Sequence, residues 1–378
     1  MATTPSPPGC GGSASATGLR LGNRARAPYN TPMDPAISTT EPHPPEASPA
    51  RSTSSGDTAA ARPTALWGIL LCIAAALGYS VANACLRKLS VDCDQVLVVF
   101  VKELIAVGLV GPWLAWHAWH GRRTLPGGRA LAALAVMGLL TQVVGNVPAV
   151  WAFGVIGLAV AMPLMSGTNL VAAVILSRIF LGERVSSRTV LAISLLSLSF
   201  LLLLLAAPQA TRTIRGAAPA TTDWGIAALA VGATCLAGMV YAMLVVVVRR
   251  TATGNTPTTA IVFMITGMAV VSLGPWLAVR RGPETLLLLD VPPVDVGLML
   301  LAGVLNLLAF LALTKGLQWT PVARANMIMT SQVVLGALVG VTLFGEPGSL
   351  WLILGLCLTI AGMTLIGREM KVEPETTV

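Results

Sequence analysis

Residues 99–115 read VFVKELIAVGLVGPWLA, and residues 262–278 read VFMITGMAVVSLGPWLA. Both stretches begin with Val-Phe and end with Gly-Pro-Trp-Leu-Ala, at an offset of 163 residues, from 99 to 262. The same offset relates the Gly-Glu pair at 182–183 to the Gly-Glu pair at 345–346. Because these widely separated matches share a single register, the sequence indicates an internal duplication.

The composition places this duplication in a membrane. Hydrophobic residues make up 55% of the 378 residues and charged residues only 11%, with a mean hydropathy of +0.78. A soluble domain carries about 25% charged residues, so a water-soluble globular fold is excluded. The net charge of +8 does not indicate nucleic-acid binding, because the basic residues are scattered between apolar segments. Residues 1–64 are rich in Pro, Ser and Thr, which predicts a disordered tail.

The apolar runs predict an all-α membrane protein with ten transmembrane helices, because each run is long enough to cross a bilayer of about 30 Å. The predicted helices cover residues 65–86, 96–116, 130–152, 158–181, 188–207, 224–248, 259–279, 295–315, 322–344 and 349–366. Each repeat then contains five helices, an odd number, so the second copy is inverted relative to the first. Inverted repeats are typical of secondary transporters, whose substrate site lies between the halves near the midplane. The domains predicted are 1–64, 65–207 for the first repeat, 224–367 for the second, and a short tail at 368–378.

The distribution of basic residues predicts the orientation. With the N-terminus in the cytoplasm, thirteen Lys and Arg flank the inner ends of the helices and six flank the outer ends. The positive-inside rule therefore predicts that both termini are cytoplasmic, in the cytoplasmic membrane of the cell. The six residues on the outer side are Arg87, Lys88, Arg212, Arg215, Arg280 and Arg281.

The ends of the two repeats also carry a family resemblance. The run from Pro163 to Leu181-Gly182-Glu183 and the run from Pro321 to Phe344-Gly345-Glu346 resemble the end of an EamA-type repeat. Phe100-x-Lys102 is similar to the start of that family's second helix. The resemblance covers residues 65–367 and implies the drug/metabolite transporter superfamily, with ten helices in two inverted repeats and transport of small metabolites. It says almost nothing about the substrate.

Lys102 and Glu103 are adjacent charges deep in a predicted helix, where an ionisable residue costs about 2.5–3.5 kcal/mol to insert. Because side chains at i and i+1 point about 100° apart, we expect each to need a partner on another helix or water. Lys102 either snorkels or pairs structurally, or it takes part in coupling. Glu103 is too short to snorkel far and is a candidate proton carrier. The Glu residues of the two Gly-Glu pairs are expected to cap the helix that follows each of them.

Polar residues within otherwise apolar helices are candidates for a substrate pathway. Thr168-Asn169 and Ser331-Gln332 occupy equivalent positions of the two repeats, and both pairs are expected to face the bundle interior, because amides facing lipid would be unsatisfied. They either bind substrate or join helices by hydrogen bonds worth about 0.6 kcal/mol each. The predicted substrate-binding set is Asn83, Gln142, Asn146, Thr168, Asn169, Tyr241, Asn306, Asn326, Ser331 and Gln332.

These observations predict a secondary transporter that exports a small organic metabolite, such as an amino acid, amine or drug-like solute. Alternatives are a nucleotide-sugar or phosphate-ester exchanger and a membrane sensor or scaffold that does not transport. A membrane enzyme is disfavoured, since no catalytic motif is found, and no cofactor or metal is predicted. The expected partners are the lipid bilayer, the small-molecule substrate and coupled protons. Gly336-x-x-x-Gly340 predicts a close helix contact, either within the bundle or in a homodimer.

Overall fold

Long apolar runs form helices throughout the described part of the chain. The structure is a computed structural model, and it describes residues 61–121, 127–181, 186–215, 220–252, 257–320 and 322–369. Within these ranges the secondary structure is helical, without β-strands. The helices are α1 (Ala61–Asp92), α2 (Gln95–Trp119), α3 (Gly128–Leu140), α4 (Val147–Leu181), α5 (Ser187–Arg215), α6 (Ala220–Ala252), α7 (Thr258–Arg281), α8 (Pro293–Trp319), α9 (Val322–Phe344) and α10 (Leu350–Glu369).

Eight of the described segments are long and apolar enough to cross a membrane, and Leu350–Ile366 is a shorter apolar helix. Large apolar side chains remain exposed along the bundle, among them Leu229, Val271 and Leu338. An exposed apolar surface of this extent is unsuited to water and suited to lipid. Most helices extend beyond the predicted bounds. For example, α1 begins at Ala61 and continues to Asp92, whereas the predicted helix covers residues 65–86.

The segment from α3 to α4 departs from regular α-helix at two places. A π-helical turn, Thr141–Asn146, joins α3 to α4. Within α4, Gly157 adopts φ 77° and ψ 169°, which is non-helical and breaks the helix there. This break lies in the interval between the predicted third and fourth helices, 130–152 and 158–181. The non-Gly residues around it could not take this conformation without strain.

Helices α2 and α7, which carry the repeated motif, run antiparallel to each other. The ring of Phe263 packs on Gly111, where a Cβ would lie 3.2 Å from Cε2. The ring of Phe100 packs on Gly274, where a Cβ would lie 3.0 Å from Cε2. Each Phe thus contacts the Gly of the other copy, so the start of one helix lies against the end of the other. The residues that define the repeat are the ones that pack the two copies together.

Helices α5 and α10, the last of each repeat, show the same arrangement. Leu203 packs against Gly355, and Leu196 packs against Gly362, so residue numbers rise along one helix as they fall along the other. The Ser199 hydroxyl lies at the same contact and donates to the Gly355 carbonyl at 2.7 Å. Glycines at these two positions allow the helices to approach closely.

The contact of α4 with α9 accounts for the Gly336-x-x-x-Gly340 motif. Gly336 packs on Met162, and Gly340 packs on Ala159, where a Cβ on Gly340 would lie 3.0 Å from the alanine methyl. The motif therefore packs helices within the bundle, as one of its two interpretations predicted. Residues Leu158 to Leu164 of α4 are almost fully buried and form the centre of the main apolar core.

Candidate functional site

Lys102 and Glu103 of α2 are buried and form an ion pair with each other. The Lys102 Nζ lies 2.9 Å from the Glu103 Oε1, and the two side chains are 5% and 4% exposed. The expectation that neighbouring charges on a helix cannot neutralise each other is therefore wrong here. The 100° angle applies to the Cα–Cβ directions, and the four methylenes of lysine are long enough to curve back to the next side chain.

The π-helical turn supplies the second part of the site. Asn146 Nδ2 donates to Glu103 Oε1 at 3.2 Å and to Gln142 Oε1 at 2.7 Å. Tyr241 of α6 donates its hydroxyl to Asn146 Oδ1 at 2.5 Å. Gln142 Nε2 in turn donates to the backbone carbonyl of Ile265 in α7, at 3.3 Å. These bonds join α2, the π-helical turn, α6 and α7 into one network, and π-helical turns occur frequently at functional sites.

We call Lys102, Glu103, Gln142, Asn146 and Tyr241 the polar cluster. Glu103 lies eight residues after the start of α2 at Gln95, which is about 12 Å along the helix. In the second repeat the counterpart of Glu103 is Thr266, which is buried and donates to the carbonyl of Val262 in its own helix at 2.9 Å. The charged part of the cluster therefore belongs to one repeat only, while its partners come from both.

The other predicted residues of the first repeat lie at the contacts of α4 with α1 and with α6. Asn83 of α1 donates to the sulfur of Met162 at 3.5 Å. The hydroxyl of Thr168 is buried, and the thiol of Cys235 in α6 lies beside it. Asn169 is half-buried, and its backbone nitrogen packs against Gly238 of α6. The structure thus places Asn83 and the Thr168-Asn169 pair in interhelical contacts outside the polar cluster.

The predicted residues of the second repeat are arranged differently. Gln332 is half-buried, and its Oε1 is buried without a hydrogen-bond partner. Ser331 is exposed on the same side of α9 as Val334 and Leu338, and its hydroxyl donates to the Ile328 carbonyl at 2.6 Å. The expectation that Ser331 faces the bundle interior is wrong, because its own helix satisfies the hydroxyl.

Two further predicted residues complete the set. Asn306 is half-buried on α8. Asn326 belongs to α9, and its side chain lies outside the described part of the structure.

Glu346 lies in an environment that its neighbours in the sequence do not indicate. This residue follows the end of α9 and is 3% exposed. Its Oε1 accepts from Arg87 Nε at 2.8 Å and from the Leu158 backbone N–H at 2.9 Å, and its Oε2 accepts from the Ala159 N–H at 2.8 Å. Leu158 and Ala159 begin the second half of α4, after the break at Gly157. The first N–H groups of a helix have no intrahelical acceptor, so Glu346 caps α4 from another element.

The prediction that Glu346 caps its own following helix is therefore wrong. Ser349 has that role, since the Leu352 N–H donates to its hydroxyl at 3.2 Å. In the first repeat, Ser186 accepts from the Arg188 N–H at 3.1 Å, whereas Glu183 lies outside the described residues. Gly345 at φ 63° turns the chain after α9, and the Glu346 N–H bonds to the Gly340 carbonyl at 3.0 Å.

A sequence signal for the Glu346 site did exist. Arg87 and Arg250 are separated by the same 163 residues, from 87 to 250, as Glu183 and Glu346. An arginine and a glutamate that repeat in one register indicate a pair, although neither turn indicates it by itself.

Long apolar helices with an apolar outer surface, and with charged side chains paired in their interior, define a multi-pass membrane protein built from two repeats. The profile of the EamA-like transporter family matches residues 66–205 and 228–368. Since the two matches cover well over half of the chain, the protein belongs to the EamA-like transporter family.

Comparisons with individual proteins add little. A search of curated protein sequences gives no match. A crystal structure described only as that of a protein is 17% identical, with a TM-score of 0.46, and the alignment covers 82% of this chain and 99% of the other. A similarity at this level supports no further argument.

Proposed function

We propose that this protein is a secondary transporter that exports a small organic metabolite, such as an amino acid, amine or drug-like solute, across the cytoplasmic membrane. The polar cluster carries the proposal. Apolar helices pack without a buried ion pair or a network of amides and hydroxyls. Ionisable residues within membranes mark substrate or proton pathways. The cluster also joins helices of both repeats, where inverted-repeat transporters bind substrate.

The proposed architecture has ten crossings in two inverted repeats. A straight helix of the 49 residues from Gly128 to Leu176 would be about 74 Å long, more than twice the thickness of the hydrocarbon core. The break at Gly157 supports two crossings in this segment. Leu350–Ile366 supplies the tenth. Five crossings in each repeat require inversion, and the antiparallel pairs α2 with α7 and α5 with α10 support it.

In the proposed mechanism, the substrate occupies the space beside Asn146, Gln142 and Tyr241, with Asn83, Thr168, Asn169, Asn306, Asn326 and Gln332 further along the pathway. Alternating access then exposes this region to each side in turn. Glu103 is the coupling residue, because a carboxylate can gain a proton when its ion pair with Lys102 opens. Protonation of Glu103 leaves the Lys102 ammonium without its anionic partner, so Lys102 is free to move or to bind another group.

The alternatives receive less support. A nucleotide-sugar or phosphate-ester exchanger needs a cationic cavity, whereas Lys102 is neutralised by Glu103. A sensor or scaffold would not need the polar cluster. Members of the EamA-like family are transporters and not enzymes, and the proposal extends this to the present chain.

Transport by purified protein in proteoliposomes tests the proposal. Uptake of radiolabelled amino acids and amines is measured with and without an imposed proton gradient. Glu103→Gln keeps the shape of the side chain and removes its titration, so we expect transport to lose its dependence on the gradient. Thr266→Val, at the counterpart position in α7, is the matched control and should leave that dependence intact. If the Glu103→Gln protein keeps the full dependence, Glu103 is not the coupling residue.

The proposed topology, with both termini in the cytoplasm, is tested by thiol labelling. In a background without cysteine, an impermeant reagent applied from outside should label a cysteine at position 214 and should not label one at position 126. The expectation rests on the excess of basic residues on the inner side. The reverse pattern would refute the orientation.

A further inference from the structure

The site formed by Arg87, Glu346 and the start of the second half of α4 joins the two repeats at one end of the bundle. The three described hydrogen-bond donors to the Glu346 carboxylate belong to the first repeat: Arg87 on α1, and the N–H groups of Leu158 and Ala159. Glu346 itself belongs to the second repeat. The contact therefore has to break if the repeats move apart at this end.

A second ionic contact lies at the same end. Arg281 at the end of α7 approaches Asp94, with Nη2 2.9 Å from Oδ2, and Asp94 also caps the start of α2. Asp94 follows Arg87 by seven residues, across the turn between α1 and α2. Among the described residues at this end, ion pairs therefore join the two repeats at two places, at Glu346 in the buried interior and at Asp94 nearer the surface.

The local structure allows the side chain of Glu346 to rotate away while its backbone stays in place. Glu346 lies in the segment between α9 and α10, beside Gly345 and Pro347, and its N–H can keep its bond to the Gly340 carbonyl of α9 when the carboxylate leaves. The groups that it leaves, a guanidinium and two N–H groups at a helix start, are well hydrated when water enters. The free energy of a buried ion pair is close to that of the two separated, hydrated ions. Such a pair therefore suits a contact that must open and close. A purely apolar contact would expose its surface to water on opening.

We propose that Arg87 and Glu346 form the closed gate at the end of the bundle where α1 and α9 terminate. This inference rests on the proposed transport function, and it assigns to these residues the closure of one side of the pathway. In the closed state, Glu346 fixes the broken helix α4 against α9, and Arg87 holds α1 to both. When the pair separates, water reaches the interior from this end.

Two native cysteines of α1 provide reporters for this gate. Cys85 lies two residues before Arg87 and is 7% exposed, and Cys72 is fully buried against Gly316 of α8. The two are thirteen residues apart, or about 20 Å along the helix. Opening at the Arg87 end should expose Cys85 and leave Cys72 protected, whereas general loosening of the bundle would expose both.

The experiment uses the full chain in membrane vesicles of both orientations, with either Cys85 or Cys72 as the only cysteine. In the Glu346→Gln variant we expect an impermeant maleimide to label Cys85 about ten times faster than in the parent, from one side of the membrane, with no change at Cys72. A tenfold change in rate corresponds to a change of about 1.4 kcal/mol in the free-energy difference between the closed and open forms. Arg87→Gln keeps the carboxylate cap on α4 and should give the same pattern if Glu346→Gln protein is not obtained.

Equal acceleration at Cys85 and Cys72 would overturn the gate and assign the pair to stability alone. An unchanged rate at Cys85 would also overturn it. Because labelling requires no substrate, the gate can be confirmed or refuted even if none of the tested solutes is transported. Failure of transport would instead count against the proposed function.

Discussion

Substitution of Gly157 by alanine should lower the free energy of unfolding through two separate effects. The φ of 77° with ψ of 169° lies in a region that is essentially confined to glycine, and such backbone strain costs about 1–3 kcal/mol. A Cβ at this position would also lie 2.4 Å from Glu346 Cδ and 2.5 Å from its Oε2. The carboxylate would have to move away from Arg87. Breaking a buried ion pair on one side costs about 3–5 kcal/mol, so the total loss should be at least about 4 kcal/mol.

The two effects can be separated by a double-mutant cycle with Glu346→Ala. In the Glu346→Ala background the carboxylate is absent, so Gly157→Ala should add only its backbone strain of about 1–3 kcal/mol. The difference between this value and the effect of Gly157→Ala in the wild-type background measures the coupling between the two residues. We expect the coupling to be about 3–5 kcal/mol, because the collision that breaks the ion pair exists only when Glu346 is present.

Thermal unfolding of the purified protein in detergent provides the assay, with melting temperatures compared across the four proteins of the cycle. Gly232→Ala is the matched control, since Gly232 lies within α6 with no atom within 4 Å of a Cβ placed there. That substitution should be neutral or stabilising by up to about 1 kcal/mol, as expected for alanine in a helix. If Gly157→Ala melts like the control, or if its effect adds fully to that of Glu346→Ala, the described contact between the break and the carboxylate is wrong.

Two further predictions concern other parts of the chain. Asn169→Ala and Gln332→Ala should change transport affinity or selectivity with melting temperatures close to wild type; lower stability with unchanged kinetics in both variants would instead assign these residues to helix packing. In the turn between α1 and α2, burial and then the carboxylate of Asp295 raise the pKa of the Cys93 thiol, because both disfavour the thiolate. Asp295→Asn should therefore lower that pKa and speed maleimide labelling of Cys93 at neutral pH, and the two proteins should react equally at strongly alkaline pH, where the thiolate predominates in both. Equal rates at neutral pH would show that Asp295 does not act on this thiol.

The architecture could be predicted well from the sequence, because it depends on features that the sequence carries directly. Long apolar runs indicate membrane helices, and the match between Phe100 and Phe263 indicates the duplication. The structure explains why these positions match, since each Phe packs on the glycine of the opposite copy. The break in α4 falls at Gly157, between the predicted third and fourth helices, because this backbone conformation needs a residue that tolerates positive φ.

The site was predicted less well because its contacts depend on distance in space and on side-chain length. Asn146, Gln142 and Tyr241 were identified as polar residues in apolar helices, but the sequence did not show that they converge on Glu103. The pairing of Lys102 with Glu103 was missed because helix geometry alone was considered. Ser331 was assigned to the wrong face because Thr330, Ser331 and Gln332 are consecutive, so they point in different directions around α9 and cannot all face the interior.

The partners of Glu346 cannot be predicted from its neighbours in the sequence, but the internal repeat indicates one of them. A glutamate after a helix and before a serine suggests a local cap, yet its partners lie 187 to 259 residues away in the chain. The local position is nevertheless informative when it is combined with the repeat. A duplication preserves residues whose partners are also duplicated, and both the arginine at 87 and the glutamate at 346 have counterparts at the common offset. In a protein built from repeats, two charged residues that recur at the same offset are therefore candidates for contact, whatever their separation in sequence. The reason is that burying a charged side chain in a membrane is unfavourable unless a partner of opposite charge accompanies it.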